Sequence, residues 1–282
     1  MHVHPDRAWI MALTPLWNGE RFQSGRPLVA DGVLERLRTA TTEQAWSVLR
    51  QHGYHRQFAG GWLQTHPGRQ LVGRAVTSCF LPHRPDFDSV VVEQGARDGN
   101  TSGNRQNTWI IEGLVEGDVM VTDIFGKVEN GTVIGDNLGT AIAARTGAGA
   151  VIDGGIRDMS GLVQLPGVNY FFRGAHPTAI VDVTLAGINV PIRIDGVTVL
   201  PGDVVLGTDT GVIFIPPHLA EEVADVAEDV SVRDVFGKQR LSERVYSSAD
   251  IDVPVWAADI ESDFQAWRGA RESPAVGGDR DR

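Results

Sequence analysis

A chain of 282 residues with 42% hydrophobic content can bury a sizeable core, as one large domain or one domain with extensions. Its formal charge of −11, with no segment that gathers lysine and arginine on one face, excludes the electrostatic footprint of a nucleic-acid binder. One cysteine excludes an intrachain disulfide, and no stretch approaches the roughly 20 apolar residues of a bilayer span or the pattern of a secretory signal, so the expectation is a cytoplasmic protein with no membrane partner.

Residues 1–30 read as an N-terminal extension in which Trp9, Ile10, Leu13 and Trp17 are apolar points needing cover. His2 and His4 form an incidental pair near a terminus. Val33, Leu34, Leu37, Ala45, Trp46 and Leu49 predict two helical pieces, broken near Thr39–Thr42, where a threonine can cap the second. Leu71 to Leu81 reads as the first core strand, and Cys79 within it as a buried structural thiol. Gly95 to Asn107, rich in small polar residues, reads as a surface loop.

The most informative stretch is Gly135 to Asp158, GDNLGTAIAARTGAGAVIDGGIRD. Leu138, Ala141, Ile142 and Arg145 fall at helical spacing, with Gly147 placed to stop the helix. Ala150-Val151-Ile152 reads as a buried strand, ended at a turn by Gly154-Gly155. Roughly nine helical residues climb about 14 Å and roughly five extended ones return about 16 Å, so the helix start and the strand end should lie at one height. The amides of Gly135 to Leu138, at the positive end of a helix dipole, would then open toward Arg157 and Asp158, which suits an anionic substrate. The bland alternative is that Asp136 only caps the helix and that Arg157 and Asp158 form a solvated turn pair.

Two later stretches echo each other, Glu116-Gly117-Asp118-Val119 and Pro201-Gly202-Asp203-Val204, each a Gly-Asp turn feeding a strand. Short strands between Val181 and Ile215 end at Pro216-Pro217, and Leu219, Val223, Val226, Ala227 and Val230 mark an amphipathic helix. Trp256, Ile260, Phe264 and Trp267 form a helical stripe expected to dock on its own subunit or a neighbour, and residues 270–282 read as a disordered tail. His176 reads as a structural or surface histidine in a loop. The two lysines, Lys127 and Lys238, occupy no evident buried apolar strand, which argues against a Schiff-base enzyme.

Asp136, Arg157-Asp158 and the segments Val151-Ile152-Asp153-Gly154 and Val197 to Asp203 resemble the signature of the RraA-like family, whose enzymatic members include class II 4-hydroxy-4-methyl-2-oxoglutarate / 4-carboxy-4-hydroxy-2-oxoadipate aldolases. The resemblance extends from about Leu34 to Val230. It implies an α/β fold, a layered β/β/α core like a phosphohistidine swivelling domain with flanking N- and C-terminal helices, assembled as homotrimers or homohexamers. The domain expectation is an extension at 1–30, a catalytic domain at 31–235, a helical extension at 236–269 and a tail at 270–282.

The resemblance further implies a lyase acting on a 2-oxo acid through a pyruvate enolate, by retro-aldol cleavage or oxaloacetate decarboxylation. In that reading Asp158 binds the metal, Asp136 orients metal-bound water, Arg157 contacts the substrate, and Gly135, Asp136, Asn137 and Leu138 hold its carboxylate. So few protein ligands suit Mg²⁺ or Mn²⁺ better than zinc. Glu221, Glu222 and Glu228 lie where a neighbouring subunit's acid is expected, and Asn137 departs from the apolar residue that enzymatic relatives often carry. The competing readings are a protein-binding regulator of a ribonuclease and a sugar-acid dehydratase or hydratase.

Overall fold

The computed structural model describes residues 3–100 and 105–272, which fall into two compact units divided between Ala227 and Glu228. His2, residues 101–104 of the expected surface loop and residues 273–282 of the expected tail lie outside the described residues.

The first unit opens with α1 (Arg7–Leu13), α2 (Asp31–Leu37) and α3 (Thr42–Gln51). The break between α2 and α3 falls where the threonines lie, and Thr41 and Gln44 form a reciprocal capping box that fixes the start of α3. The strands β1 (Phe58–Ala59) and β2 (Leu63–Gln64) precede the long β3 (Leu71–Pro82), so Leu71 to Leu81 is a core strand but not the first. At two residues each, β1 and β2 carry no alternation from which they could be read. Next come α4 (Pro85–Arg97), α5 (Gln106–Glu112), β4 (Asp118–Asp123), β5 (Thr132–Ile134), α6 (Asp136–Thr146), β6 (Gly149–Ile156), α7 (Met159–Leu162) and β7 (Asn169–Ala175). The unit continues with β8 (Val183–Ile188), β9 (Ile192–Ile194), β10 (Val197–Val199), β11 (Val204–Thr208), β12 (Gly211–Ile215) and the first part of α8 (Ala220–Ser242).

The expected loop at Gly95 to Asn107 needs correction at both ends. Gly95 to Arg97 is the last turn of α4, and Gln106 and Asn107 are the buried start of α5. Their polar side chains are spent on the fold: Gln106 accepts from the Leu185 amide (2.6 Å) and donates to Asp88 (3.0 Å), while Asn107 donates to the Val133 carbonyl (2.7 Å). Small polar composition reads as a loop only when such partners are invisible.

One sheet runs β1-β12-β11-β3-β4-β6-β7-β2, with β5 on β6 and β8 on β3. Its centre, β3-β4-β6-β7, is parallel, and the pairs flanking it are antiparallel. Strand alternation gives each face its own core. Ala75, Val119, Val121, Val151, Val205 and Phe214 point to one side and are covered by the β9–β10 hairpin through Ile192, Ile194, Val197 and Val199. Val76, Met120, Ile152 and Tyr170 point to the other side, under Ile110 of α5 and Ile142 of α6. Val72, Val204 and Leu206 share that side, under Leu34, Leu49, Val223 and Ala227. The layers are therefore hairpin, sheet, helices, which is the expected β/β/α order.

The N-terminal residues belong to this unit. Ile10 is buried and Trp17 packs against the cluster around Leu34 and Val223, whereas Trp9 remains half exposed. Arg26 makes a fork to Asp118, with 2.8 and 2.9 Å contacts to the two carboxylate oxygens, both side chains being buried.

The second unit comprises the remainder of α8, α9 (Ser248–Ile251) and α10 (Ala258–Glu272). Phe236, Ile260 and Phe264 form its core with Trp256 and Trp267 around them, and the Phe236 and Phe264 rings meet edge-on at 5.4 Å. The aromatic stripe thus packs within its own chain, and α8 runs straight through the expected boundary at 235/236.

Candidate active site

Helix α6 starts because Gly135, in extended conformation, turns the chain out of β5, and it stops where Gly147 enters the left-handed region at φ 63°. Gly147 donates to the Ala143 carbonyl at 3.0 Å. The chain then returns along β6, whose eight residues are all buried. The turn expected at Gly154-Gly155 is absent: both glycines continue β6 with a register shift toward β7. Their lack of a side chain serves close approach instead. A Cβ on Gly155 would lie 2.6 Å from the Val128 carbonyl oxygen, and one on Gly154 would lie 2.9 Å from that of Lys127.

Two further residues carry β6 past the start of α6. The Arg157 amide donates to the Ile134 carbonyl (3.0 Å), which ties the strand end to the segment leading into the helix. Asp158 then takes the left-handed conformation, φ 54° and ψ 41°, and its carbonyl accepts from Gly161 and Leu162 to open α7. Asp is one of the few non-glycine residues that enter this region at modest cost.

Helix start and strand end converge. A Cβ on Gly135 would collide with Asp158 Oδ2 and lie 3.0 Å from Arg157 Nε, so the carboxylate and the guanidinium close directly over the first residue before the helix. Arg157 Nε and Asp158 Oδ2 are 3.4 Å apart, and both side chains remain about two-fifths exposed, open to an incoming ligand. Asp136 is half-buried and backs onto Gly161, where a Cβ would sit 2.6 Å from its own. Asn137 is exposed and Leu138 packs on the core beneath.

One part of the sequence expectation changes. The Asn137 amide is not free, because Asp136 Oδ1 accepts it at 2.8 Å. The first intrahelical bond is Gly139 N–H to Gly135 O, so the Asp136 and Leu138 amides precede the hydrogen-bond ladder and are the ones left for an anion. Asp136 is therefore the N-terminal acidic residue of its helix as well as a candidate site group.

Sequence reasoning missed two supports. Gly161 gives Asp136 its place, and a glycine inside a one-turn helix is itself the signal of close approach. Tyr170, fully buried, donates to the Gly139 carbonyl at 2.6 Å and holds the first turn of α6 down on the sheet. His176 donates its amide to Ile156 (3.0 Å), and its ring meets Thr178 Oγ1 at 3.0 Å. Asp153 of the matching segment is paired with Arg173 at 2.6 Å.

No group of three His, Cys, Asp or Glu side chains is poised for a metal among the described residues. A site resting on one carboxylate leaves most coordination positions to water and substrate, which Mg²⁺ and Mn²⁺ accept and structural zinc does not. Asp158 could hold such an ion, and Asp136 is the first residue of the helix whose start Asp158 covers. Lys127 Nζ is committed to the Val181 carbonyl at 2.8 Å, Lys238 pairs with Asp234, and Glu222 pairs with His52 at 2.9 Å.

Cys79 is a poor nucleophile. Burial, then the neighbouring Asp123, push its thiol up to about 11. At pH 8 the thiolate fraction is then about 10⁻³, so iodoacetamide should alkylate native Cys79 about 100-fold more slowly than in the urea-unfolded chain. Its rate should still be rising at pH 10; a plateau near pH 9, read by mass spectrometry, would contradict the burial argument.

The geometry is that of a layered α/β protein with an arginine and an aspartate set over a helix start. The comparisons narrow it. A family profile described as RraA-like, Aldolase/RraA, matches residues 28–214, and the chain belongs to that family. It is 34% identical over 132 residues to a Halalkalibacterium halodurans protein provisionally named a 4-hydroxy-4-methyl-2-oxoglutarate aldolase, covering 46% of this chain and 60% of the relative. It is 27% identical over 107 residues to the 4-hydroxy-4-methyl-2-oxoglutarate aldolase of Thermus thermophilus, covering 38% of this chain and 64% of that one. The chain thus spans about 60% of the length of these aldolase-named relatives. Among solved structures it is similar to Streptomyces coelicolor RraAS2, described as an unusual member of the RNase ES inhibitor RraA family, at 27% identity and TM-score 0.62, over 76% of this chain and 98% of that one. No helix among the described residues is long and apolar enough to cross a membrane.

Proposed function

We propose that the protein is a divalent-metal-dependent lyase that releases pyruvate from a 2-oxo acid, by retro-aldol cleavage or by decarboxylation of oxaloacetate. The observation that carries this reading is the closure of Asp158 and Arg157 over Gly135, where a Cβ would fill the cradle. Either reaction breaks the C3–C4 bond, one carbon removed from the 2-oxo group, and leaves its electron pair, and the negative charge, on the three-carbon fragment as a pyruvate enolate. Bound at Asp158, Mg²⁺ or Mn²⁺ supplies Lewis-acid stabilisation of that charge.

The chain's own residues do the rest. The Arg157 guanidinium, fixed at its backbone by Ile134, meets the substrate's carboxylate and carbonyl oxygens as a charged donor. The amides ahead of the α6 ladder take a carboxylate oxygen at the positive end of the helix. In this reading Asp136 holds a water for proton transfer to or from the leaving fragment. Homotrimer or homohexamer assembly belongs to the same reading.

The test is a 2-oxo acid panel, oxaloacetate and 4-hydroxy-2-oxo acids included, scored for pyruvate and for loss of water, with and without EDTA. Pyruvate release from at least one acid, lost in EDTA and restored by Mg²⁺ or Mn²⁺, is expected. Turnover that ignores EDTA removes the metal, and water loss without pyruvate moves the assignment to a dehydratase. The resemblance to RraAS2 over nearly all of that chain favours a second reading, a ribonuclease-binding regulator. Inhibition of a ribonuclease by the EDTA-treated protein, with no turnover across the panel, would select it.

A further inference from the structure

The two Gly-Asp turns that echo in the sequence differ in what they do with their carboxylates. In both, the aspartate accepts the amide three residues back: Val115 to Asp118 at 3.1 Å and Leu200 to Asp203 at 2.8 Å. Asp118 is further matched by two cations, the Arg26 fork and Arg74 Nε at 3.8 Å. Asp203, only 3% exposed, has no cation, and the Leu200 amide is its one partner among the described residues. A buried carboxyl in this state is costly unless it is protonated or gains a counter-charge.

Asp203 lines a cavity of about 320 Å³. Leu13 and Leu16 of the N-terminal segment, Leu200 and the Tyr54 ring give it largely apolar walls. Tyr54 and His218 are the other titratable side chains facing it, and Tyr54 Oη lies 3.4 Å from His218 Nε2. Burial, then His52, hold His218 below the usual histidine range, which disfavours a positive charge there. Volume and lining are those of a small-molecule pocket at the low end of the usual range, with Asp203 as its one carboxylate and Thr14, Gln57 and Thr198 as further polar lining.

We propose that this cavity is a second binding site, sharing no residue with the Gly135–Asp158 site, for a small molecule with an apolar body and one protonated amine, its ammonium seated on the Asp203 carboxylate. The amine plays at Asp203 the part that Arg26 plays at Asp118. Leu13 and Leu16 form one wall, so an occupant also fastens the N-terminal segment to the core.

The linkage sign follows from the carboxyl, which burial pushes up to about 7. An ammonium binds the ionised form, so affinity rises with pH through that value, by about tenfold between pH 6 and pH 8. Titration calorimetry of the full chain with benzylamine, whose ammonium persists over that range, should show this rise. Benzyl alcohol and benzoate should each bind at least about tenfold more weakly. Asp203→Asn, which still accepts the Leu200 amide, should abolish benzylamine binding, and so should Leu16→Trp, which fills the cavity from its wall. Affinity weaker than about 10 mM at pH 8, equal binding of benzyl alcohol, a flat pH profile, or retained binding in Asp203→Asn would each overturn the proposal. The wild-type pH and ligand comparisons decide it even where a variant fails to fold.

Discussion

Asp158→Asn is expected to reduce pyruvate release at least about 10³-fold with the melting temperature held within about 2 °C of wild type. The side chain is about two-fifths exposed and lies outside the buried core, and asparagine keeps its shape over Gly135, so the exchange should not be felt by the core. Asparagine also tolerates the left-handed backbone at this position. Asp158→Ala should show the same activity loss with about 1 kcal/mol of added destabilisation, because alanine pays the full cost of that conformation. Arg157→Ala should fall about 10²- to 10³-fold as its donor to the substrate is removed. Steady-state pyruvate assays with thermal unfolding of the same samples make the measurement. Activity retained in either Asp158 variant would show that the convergence over Gly135 is only structural.

The largest stability effect is expected from Arg26→Ala. Asp118 is fully buried, and the substitution leaves its carboxylate facing only Arg74 at 3.8 Å and the Val115 amide. Breaking a buried pair from one side costs about 3–5 kcal/mol, and the remaining arginine places this case at about 3. For a unit of this size that corresponds to a fall of roughly 6–12 °C in Tm. Arg26→Lys restores charge without the planar fork and should recover only part of the loss. A change below about 1 kcal/mol in urea unfolding would mean that Asp118 is relieved by protonation or by movement of Arg74.

What the sequence carried well was the local geometry of the helix–strand return. Gly147 is a stop because its backbone needs φ > 0, and the apolar spacing of α6 is unambiguous, so the meeting of Gly135 with Arg157-Asp158 followed from rise per residue. The same rule misread Gly154-Gly155, since glycine signals both a turn and a tight approach, and only the loop carrying Lys127 and Val128 decides between them. The Asn137 amide looks free in sequence because the bond it makes depends on how the Asp136 side chain turns, which spacing does not encode. Gln106 and Asn107 resemble loop residues in sequence because their partners, Asp88, Leu185 and Val133, are distant along the chain. Arg26, in a stretch that reads as an appendage, is bound to a residue 92 positions away, a fact no periodicity encodes.

The backbone at Asp158 has a consequence for descent. One residue there both supplies a carboxylate and bends the chain, and aspartate, asparagine and glycine enter that bend at the lowest cost. Under the proposed function, chemistry would be lost at this corner without disturbing the scaffold by a single exchange to asparagine or glycine, whereas a glutamate that kept the charge would add about 1–2 kcal/mol of backbone strain.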